Sequence, residues 1–320
     1  MSTPVLREST DDDLEAMMAV TGRHWLATTG LVHPMNVERL RTVRSFPGRE
    51  PGLDSPVVEL DGRVVAWGTF FAFPPYSQVF LGTAISPDLD ESDHDTCVGL
   101  LVDHATRIAR DRLASAGIEL DPERMLATDA VHSDTRLCDA LERRGFTFDR
   151  HELEMAIDLD GIEVALAPLP DGVTVRRAHV VDDALVVAAV LREAFLDHHG
   201  DTPFTDDVVS ESLREEARPG ATLLAEDADG PVAAIIGRDR GEGGYVWAVG
   251  VLRRGRRSGL ASALLTRAFA DFAAGGRTLV TLDVDAESLT GATRVYERLG
   301  MRTRVVLDEY VRSLTTELRT

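Results

Sequence analysis

Apolar and polar positions follow two periods along the chain, and the order in which the periods alternate occurs twice. In the first half, Val5-Leu6 predicts a short strand, and Ser9-Thr10-Asp11 offers helix-capping side chains ahead of Leu14, Met17, Met18 and Val20 at helical spacing. Pro51–Pro56 predicts a loop. Val57–Leu60, a turn at Asp61-Gly62 and Val64–Phe71 predict a hairpin, and Gln78–Ile85 a strand stopped by Ser86-Pro87. Val98–Leu113 has the spacing of an amphipathic helix; a strand near Met125–Thr128, a helix over Ser133–Arg144 and a strand over Phe148–Ile157 follow.

The second half repeats that order. Val173–Val175 predicts a strand, Asp182–Phe195 a helix, and Ala221–Glu226, Asp229-Gly230 and Val232–Ile236 a strand, turn and strand. Tyr245–Val251 (strand), Gly259–Phe272 (helix), Thr278–Val284 (strand), Thr290–Leu299 (helix) and Val305–Val311 (strand) complete it. The repeat reaches residue level where Leu141-Glu142-Arg143-Arg144-Gly145-Phe146 corresponds to Tyr296-Glu297-Arg298-Leu299-Gly300-Met301. The fold class expected is α/β (α+β): two tandem domains, each a mixed, mostly antiparallel sheet of six or seven strands flanked by helices. The Pro- and Gly-containing stretch before Val173 divides residues 1–160 from 173–320, with 161–172 as linker.

Composition narrows the chemistry. The 320 residues are 44% hydrophobic and 28% charged, as in a soluble protein with a sizeable core. The net charge is −20, which disfavours nucleic acid as a partner because phosphate binding needs a surplus of cations. All the basic residues are Arg, so Schiff-base chemistry and a lysine phosphate loop are excluded. Cys97 and Cys138 form no CxxC pair, so no structural zinc set and no disulfide framework is expected. No stretch approaches about 20 apolar residues, and the N-terminal residues carry no signal-like run. These features predict a cytoplasmic protein with no membrane association, monomeric or homodimeric.

The stretch richest in chemistry is Val249-Gly250-Val251-Leu252-Arg253-Arg254-Gly255-Arg256-Arg257-Ser258-Gly259-Leu260-Ala261. A strand runs into an Arg-rich loop, and small residues then open a helix whose first-turn amides lack intrahelical partners. That is a ready anion site. The aligned first-half segment, Asp88-Leu89-Asp90-Glu91-Ser92-Asp93-His94-Asp95, carries five carboxylates instead and reads as a loop hostile to an anion. Asp197-His198-His199-Gly200-Asp201 has adjacent His residues, which point in different directions on a helix or strand, and reads as a polar helix end, so no metal is expected. Asp283 and Asp285 end a central strand, where they could steer a cationic amine or simply be solvated. No GxSxG elbow is present.

Arg256-x-x-Gly259-x-Ala261 resembles the [QR]xxGx[GA] signature of the GNAT family of acyl-CoA-dependent N-acyltransferases, and Thr293–Met301 looks like that family's second paired motif. The resemblance covers about residues 172–312 by element order, and the tandem arrangement looks most like two-domain actinobacterial members. It implies acetyl-CoA as co-substrate, with no metal. The backbone of Val249 and Val251 would hold the pantetheine arm, and amides of Arg257, Ser258, Gly259, Leu260 and Ala261 the pyrophosphate, with Arg256 adding charge. A small cationic or neutral amine would attack the thioester directly, and Tyr296 would protonate the leaving thiolate. For the general base, the resemblance leaves Glu242, a water relay, or an amine already neutral. Leu141 stands where Tyr296 stands, so the first domain is expected to be a degenerate copy. A non-catalytic acyl-CoA-binding regulatory module is the alternative function.

Overall fold

A computed structural model describes the chain except residues 1, 34, 46–47, 73–75, 77, 180–181, 197–203, 216–217, 219, 241–242, 288–290 and 318–320. In chain order the elements are β1 (Val5–Arg7), α1 (Leu14–Thr29), α2 (Val37–Arg44), β2 (Val57–Leu60), β3 (Arg63–Ala72), β4 (Gln78–Ile85), α3 (Glu91–Ser115), β5 (Met125–Val131), α4 (Thr135–Glu142) and β6 (Thr147–Asp158). There follow β7 (Thr174–Arg177), α5 (Ala184–Ala194), α6 (Asp206–Glu215), β8 (Leu223–Asp227), β9 (Gly230–Arg240), β10 (Gly243–Val251), α7 (Leu260–Ala274), β11 (Leu279–Asp285), α8 (Ala292–Arg298) and β12 (Arg302–Ser313). The chain divides into two compact units, residues 1–151 with 305–320 and residues 152–304. Among the described residues no helix is long and apolar enough to cross a membrane.

In unit 1 the strand order is β1-β2-β3-β4-β5-β12. β4 and β5 are parallel over Gln78–Leu81 and Met125–Thr128, and the other pairings are antiparallel. Phe70, Leu81, Leu101, Leu126 and Leu137 fill a core between this sheet and α3 and α4, while Leu14, Met17 and Trp67 form a smaller cluster under α1. In unit 2 the order is β6-β11-β10-β9-β8-β7, with β10 and β11 parallel. Ile235, Leu264, Phe269 and Phe272 lie in its core.

The same ion triad occurs once in each unit. Arg7 on β1 holds Asp13 (2.7 Å) and Glu59 (2.9 Å), and Arg176 on β7 holds Asp183 (2.6 Å) and Glu226 (3.1 Å). Each Asp also accepts a backbone N–H that opens its helix, from Thr10 or His179. The Arg partner brings both carboxyls down to about 2.

Two expectations change here. The boundary expected at 161–172 is not where the units part: β6 beyond His151 pairs with β11 of unit 2, and β12 from Leu307 pairs with β5 of unit 1. The supposed linker is bound to unit 2, where the amide of Ala167 reaches Thr266 Oγ1 (3.0 Å) and its carbonyl accepts from Arg267 (3.0 Å). The acidic stretch expected as a loop is largely helix, because Asp90 caps α3 by accepting the Asp93 N–H (2.9 Å) and acidic side chains favour a helix N-terminus. Helices α2 and α6 were not predicted.

This topology sets the behaviour of fragments. Residues 168–320 lack β6, so the outer edge of β11 is stripped of its ladder and exposed for intermolecular pairing. That fragment is expected to aggregate, as checked by size-exclusion chromatography with light scattering beside the full chain.

Candidate active site

β10 carries the structural irregularity around which the site is built. Its antiparallel ladder with β9 runs from Gly243 to Val251, with a register shift between Val246 and Ala248. Among the described residues its parallel ladder with β11 is confined to Gly244–Val280 and Tyr245–Thr281. Past Tyr245 the two strands part, leaving one edge of Val246–Val251 without a strand partner. Val249 and Val251 lie on this stretch, half-buried. A free inner strand edge can hold an extended ligand by main-chain hydrogen bonds.

After Leu252 and a 3₁₀ turn over Arg253–Gly255, Arg257 (φ 65°) and Gly259 (φ 88°) turn the chain into α7. The Ala263 N–H bonds back to the Gly259 carbonyl (3.0 Å), and the amides ahead of it open at the positive end of the helix. A Cβ at Gly259 would meet nothing within 4 Å, so the space above this turn is open, and it is the left-handed backbone that calls for glycine. Ser258 Oγ donates to the Gly255 carbonyl (2.7 Å) and tightens the loop.

The loop arginines divide by role. Arg254 binds Asp227 and the carbonyls of Gly230 and Pro231. Arg256 donates from Nε to the Val251 carbonyl (3.2 Å) and from its terminal nitrogen to that of Ala194 (2.9 Å). The guanidinium expected to add charge for a ligand thus also braces the end of β10 against the end of α5. Arg257 is exposed.

Tyr296 lies on α8 with 8% of its surface exposed, and burial pushes its phenol up to about 12. Its hydroxyl has no hydrogen-bond partner among the described residues. The following turn repeats in unit 1: Met301 N–H bonds to the Tyr296 carbonyl (3.1 Å), and Phe146 N–H to that of Leu141 (3.2 Å). Leu141 therefore occupies the equivalent place in unit 1. There, too, the start of α3 is filled by its own carboxylates: Arg136 pairs with Glu91 (3.0 Å), and Arg143 and Arg144 pair with Asp95 (2.9 and 2.8 Å).

A set of polar side chains gathers around the short β10–β11 ladder. Tyr245 OH donates to Asp283 (2.7 Å), and burial raises the Tyr245 phenol further above its ordinary value. The Arg240 guanidinium stacks on the Tyr245 ring at 3.3 Å and that of Arg238 on Trp247 at 3.7 Å. Glu154 of β6 stands directly opposite Asp283 in the register with β11, which puts both side chains on one face of the sheet. The Glu154 side chain is 13% exposed and pairs with Arg304 (3.3 Å). Burial and then the Asp283 charge raise its carboxyl above the usual range.

Residues 187–301 match the model of the acetyltransferase (GNAT) family. Unit 2 holds a GNAT domain. A mycothiol acetyltransferase of Streptomyces avermitilis is 31% identical over 50% of this chain and 52% of its own length, so the chain spans about half of that relative. One from Streptomyces griseus is 26% identical over 81% of this chain and 80% of its own. A GCN5-related N-acetyltransferase from Sphaerobacter thermophilus is similar at 25% identity and a TM-score of 0.81, covering 99% of this chain and 98% of that one. A tandem GNAT protein from the clavulanic acid biosynthesis pathway shares the fold at 13% identity and a TM-score of 0.71, covering 98% and 99%.

The GNAT domain brings Val249, Val251 and residues 256–261 into one strand–loop–helix unit, with Tyr296 on the helix that follows β11. Glu242 lies outside the described residues, as do His198 and His199. Sequence reasoning missed Glu154 because it was counted with the first half. The internal repeat carried a signal for it: Glu154 and Glu309 have the same separation as Leu141 and Tyr296, and Glu309 stands opposite Asp129 as Glu154 stands opposite Asp283.

Replacing Arg256 with Ala removes both bonds to the carbonyls of Val251 and Ala194. At about 1–1.5 kcal/mol per bond, unfolding in urea is expected to show a loss of about 2–3 kcal/mol.

Proposed function

We propose that the GNAT domain binds acetyl-CoA and transfers its acetyl group to a small amine by direct attack. The parting of β10 and β11 beside an open helix N-terminus carries this reading, because an extended arm ending in a pyrophosphate needs both. The open space above Gly259 supports it, since any side chain there would fill the phosphate position. The family generally uses acetyl-CoA, and the two Streptomyces relatives, mycothiol acetyltransferases by name, support a small-molecule acceptor.

Acetyl-CoA supplies an activated thioester. The edge of Val249 and Val251 would hold its arm, and the amides of residues 257–261 its pyrophosphate. Glu154 and Asp283 would draw a protonated amine to the sheet face, and Glu154, with its raised carboxyl, would accept the amine's proton. As the N–C bond forms and the C–S bond breaks, Tyr296 would give its proton to the departing sulfur. A buried phenol held at about 12 remains protonated at neutral pH and can donate to a thiolate. Unit 1, with its helix end occupied by carboxylates and Leu141 in place of a phenol, would bind no second cofactor.

Calorimetry is expected to return one acetyl-CoA per chain, abolished by Gly259→Glu; two comparable sites would overturn the assignment. With a panel of small amines and release of free CoA thiol as the readout, Tyr296→Phe and Glu154→Gln are each expected to lower kcat by about 10²–10⁴-fold. KM for acetyl-CoA should change little. Glu154→Gln should also remove the acidic limb of the pH–rate profile, since rate is lost as that carboxylate protonates. Acetyl-CoA binding without thiol release from any amine would instead identify a binding module.

A further inference from the structure

Unit 1 brings together three metal-ligating side chains, His132, His151 and Asp308. Four carboxylates are buried among the described residues: Asp13, Asp54, Asp183 and Asp308. The first three pair with Arg7, Arg112 and Arg176. Among the described residues, the side-chain partners of Asp308, which is 8% exposed, are two imidazoles. His132 Nδ1 lies 2.9 Å from one carboxylate oxygen and 3.0 Å from the other, and His151 Nδ1 lies 2.8 Å from the latter. A guanidinium carries its charge at every working pH, whereas an imidazole must gain a proton to do so. A buried carboxylate flanked by imidazoles therefore has a place for a cation that is not a proton.

We propose that His132, His151 and Asp308 form a binding site for a divalent transition-metal ion of the zinc, cobalt or nickel class. Two nitrogen donors and one carboxylate oxygen suit borderline ions rather than calcium or magnesium, which prefer all-oxygen shells. The donor atoms all lie within 4.8 Å of one another. Ligands about 2.0–2.2 Å from an ion stand roughly 3 Å apart, close to the present nitrogen–oxygen spacing. The rings are also positioned: Phe148 packs on His151 with centroids 4.8 Å apart, and His132 meets His151 edge-on at 5.5 Å. His132 follows β5, His151 ends the unit-1 part of β6 and Asp308 lies in β12, so the ion would fasten the C-terminal strand to unit 1. Three protein donors leave a further position for water. The residues are 157 and 176 positions apart along the chain, so no spacing rule reveals them.

The test uses the full chain stripped with a chelator. Titration with Zn²⁺ by calorimetry and with Co²⁺ by visible absorption is expected to reveal one site whose Co²⁺ bands report low-symmetry coordination. His132→Ala and His151→Ala are each expected to weaken binding by about tenfold or more, and the double variant to lose the site. Both side chains are substantially exposed, at 63% and 44%, so the apo variants should fold, as checked by circular dichroism. Zn²⁺ should raise the Tm of the wild-type chain but not of the double variant, because an ion bound only by the folded state stabilises it. Failure of the wild type to take up either ion, or uptake unchanged in the double variant, overturns the proposal.

Discussion

The ladder between β6 and β11, from Leu279–Asp158 to Asp285–Glu152, is the interaction on which unit 2 depends. On its other edge β11 meets β10 for only two residue pairs before the strands part. Without β6, most of β11 would expose amides and carbonyls along both edges, and the gap beside β10 could not be held open. An inner gap in a sheet is tolerable only when the strand beyond it is secured from outside. Unit 1 has the same arrangement, with β12 backing β5 from Leu307–Val131 to Ser313–Met125 while β4 pairs with β5 over four residues.

The two units share a scaffold and differ in what fills it. The ion triads of Arg7 and Arg176, the turns after Leu141 and Tyr296, and the opposed acidic pairs Asp129–Glu309 and Asp283–Glu154 recur in matching positions. The helix that follows the parted strand is where they diverge. In unit 2 its first turn stays open above Gly259; in unit 1 Asp90, Glu91 and Asp95 occupy it, neutralised by Arg136, Arg143 and Arg144. A helix end that already binds its own carboxylates has little electrostatic attraction left for a phosphate.

Charge in the GNAT domain is used at short range. The Arg-rich loop looks from its composition like an anion trap, yet Arg254 and Arg256 bind the protein's own carbonyls. Their contribution is to fix the loop against the start of β9, the end of β10 and the end of α5. On the sheet face, Arg238 and Arg240 lie on aromatic rings, and the Tyr245–Asp283 bond ties the two strands together at the place where they separate.

The sequence by itself determined the duplicated order of elements, mixed sheets of six or seven strands, the strand–loop–helix over Val249–Ala261, the phenol at Tyr296 and the acidic counterpart in the first half. Each of these is local: periodicity, turn residues and motif spacing act within about 20 residues. Tertiary structure alone decided which strand completes which sheet, and with it the boundaries at 151 and 304. The pairings of β6 with β11 and of β12 with β5 join strands more than a hundred residues apart, about which a strand's own alternation says nothing. For the same reason Glu154 became part of unit 2, Arg256 became a brace, and His132, His151 and Asp308 came together: each depends on a backbone or carboxylate supplied by a distant segment.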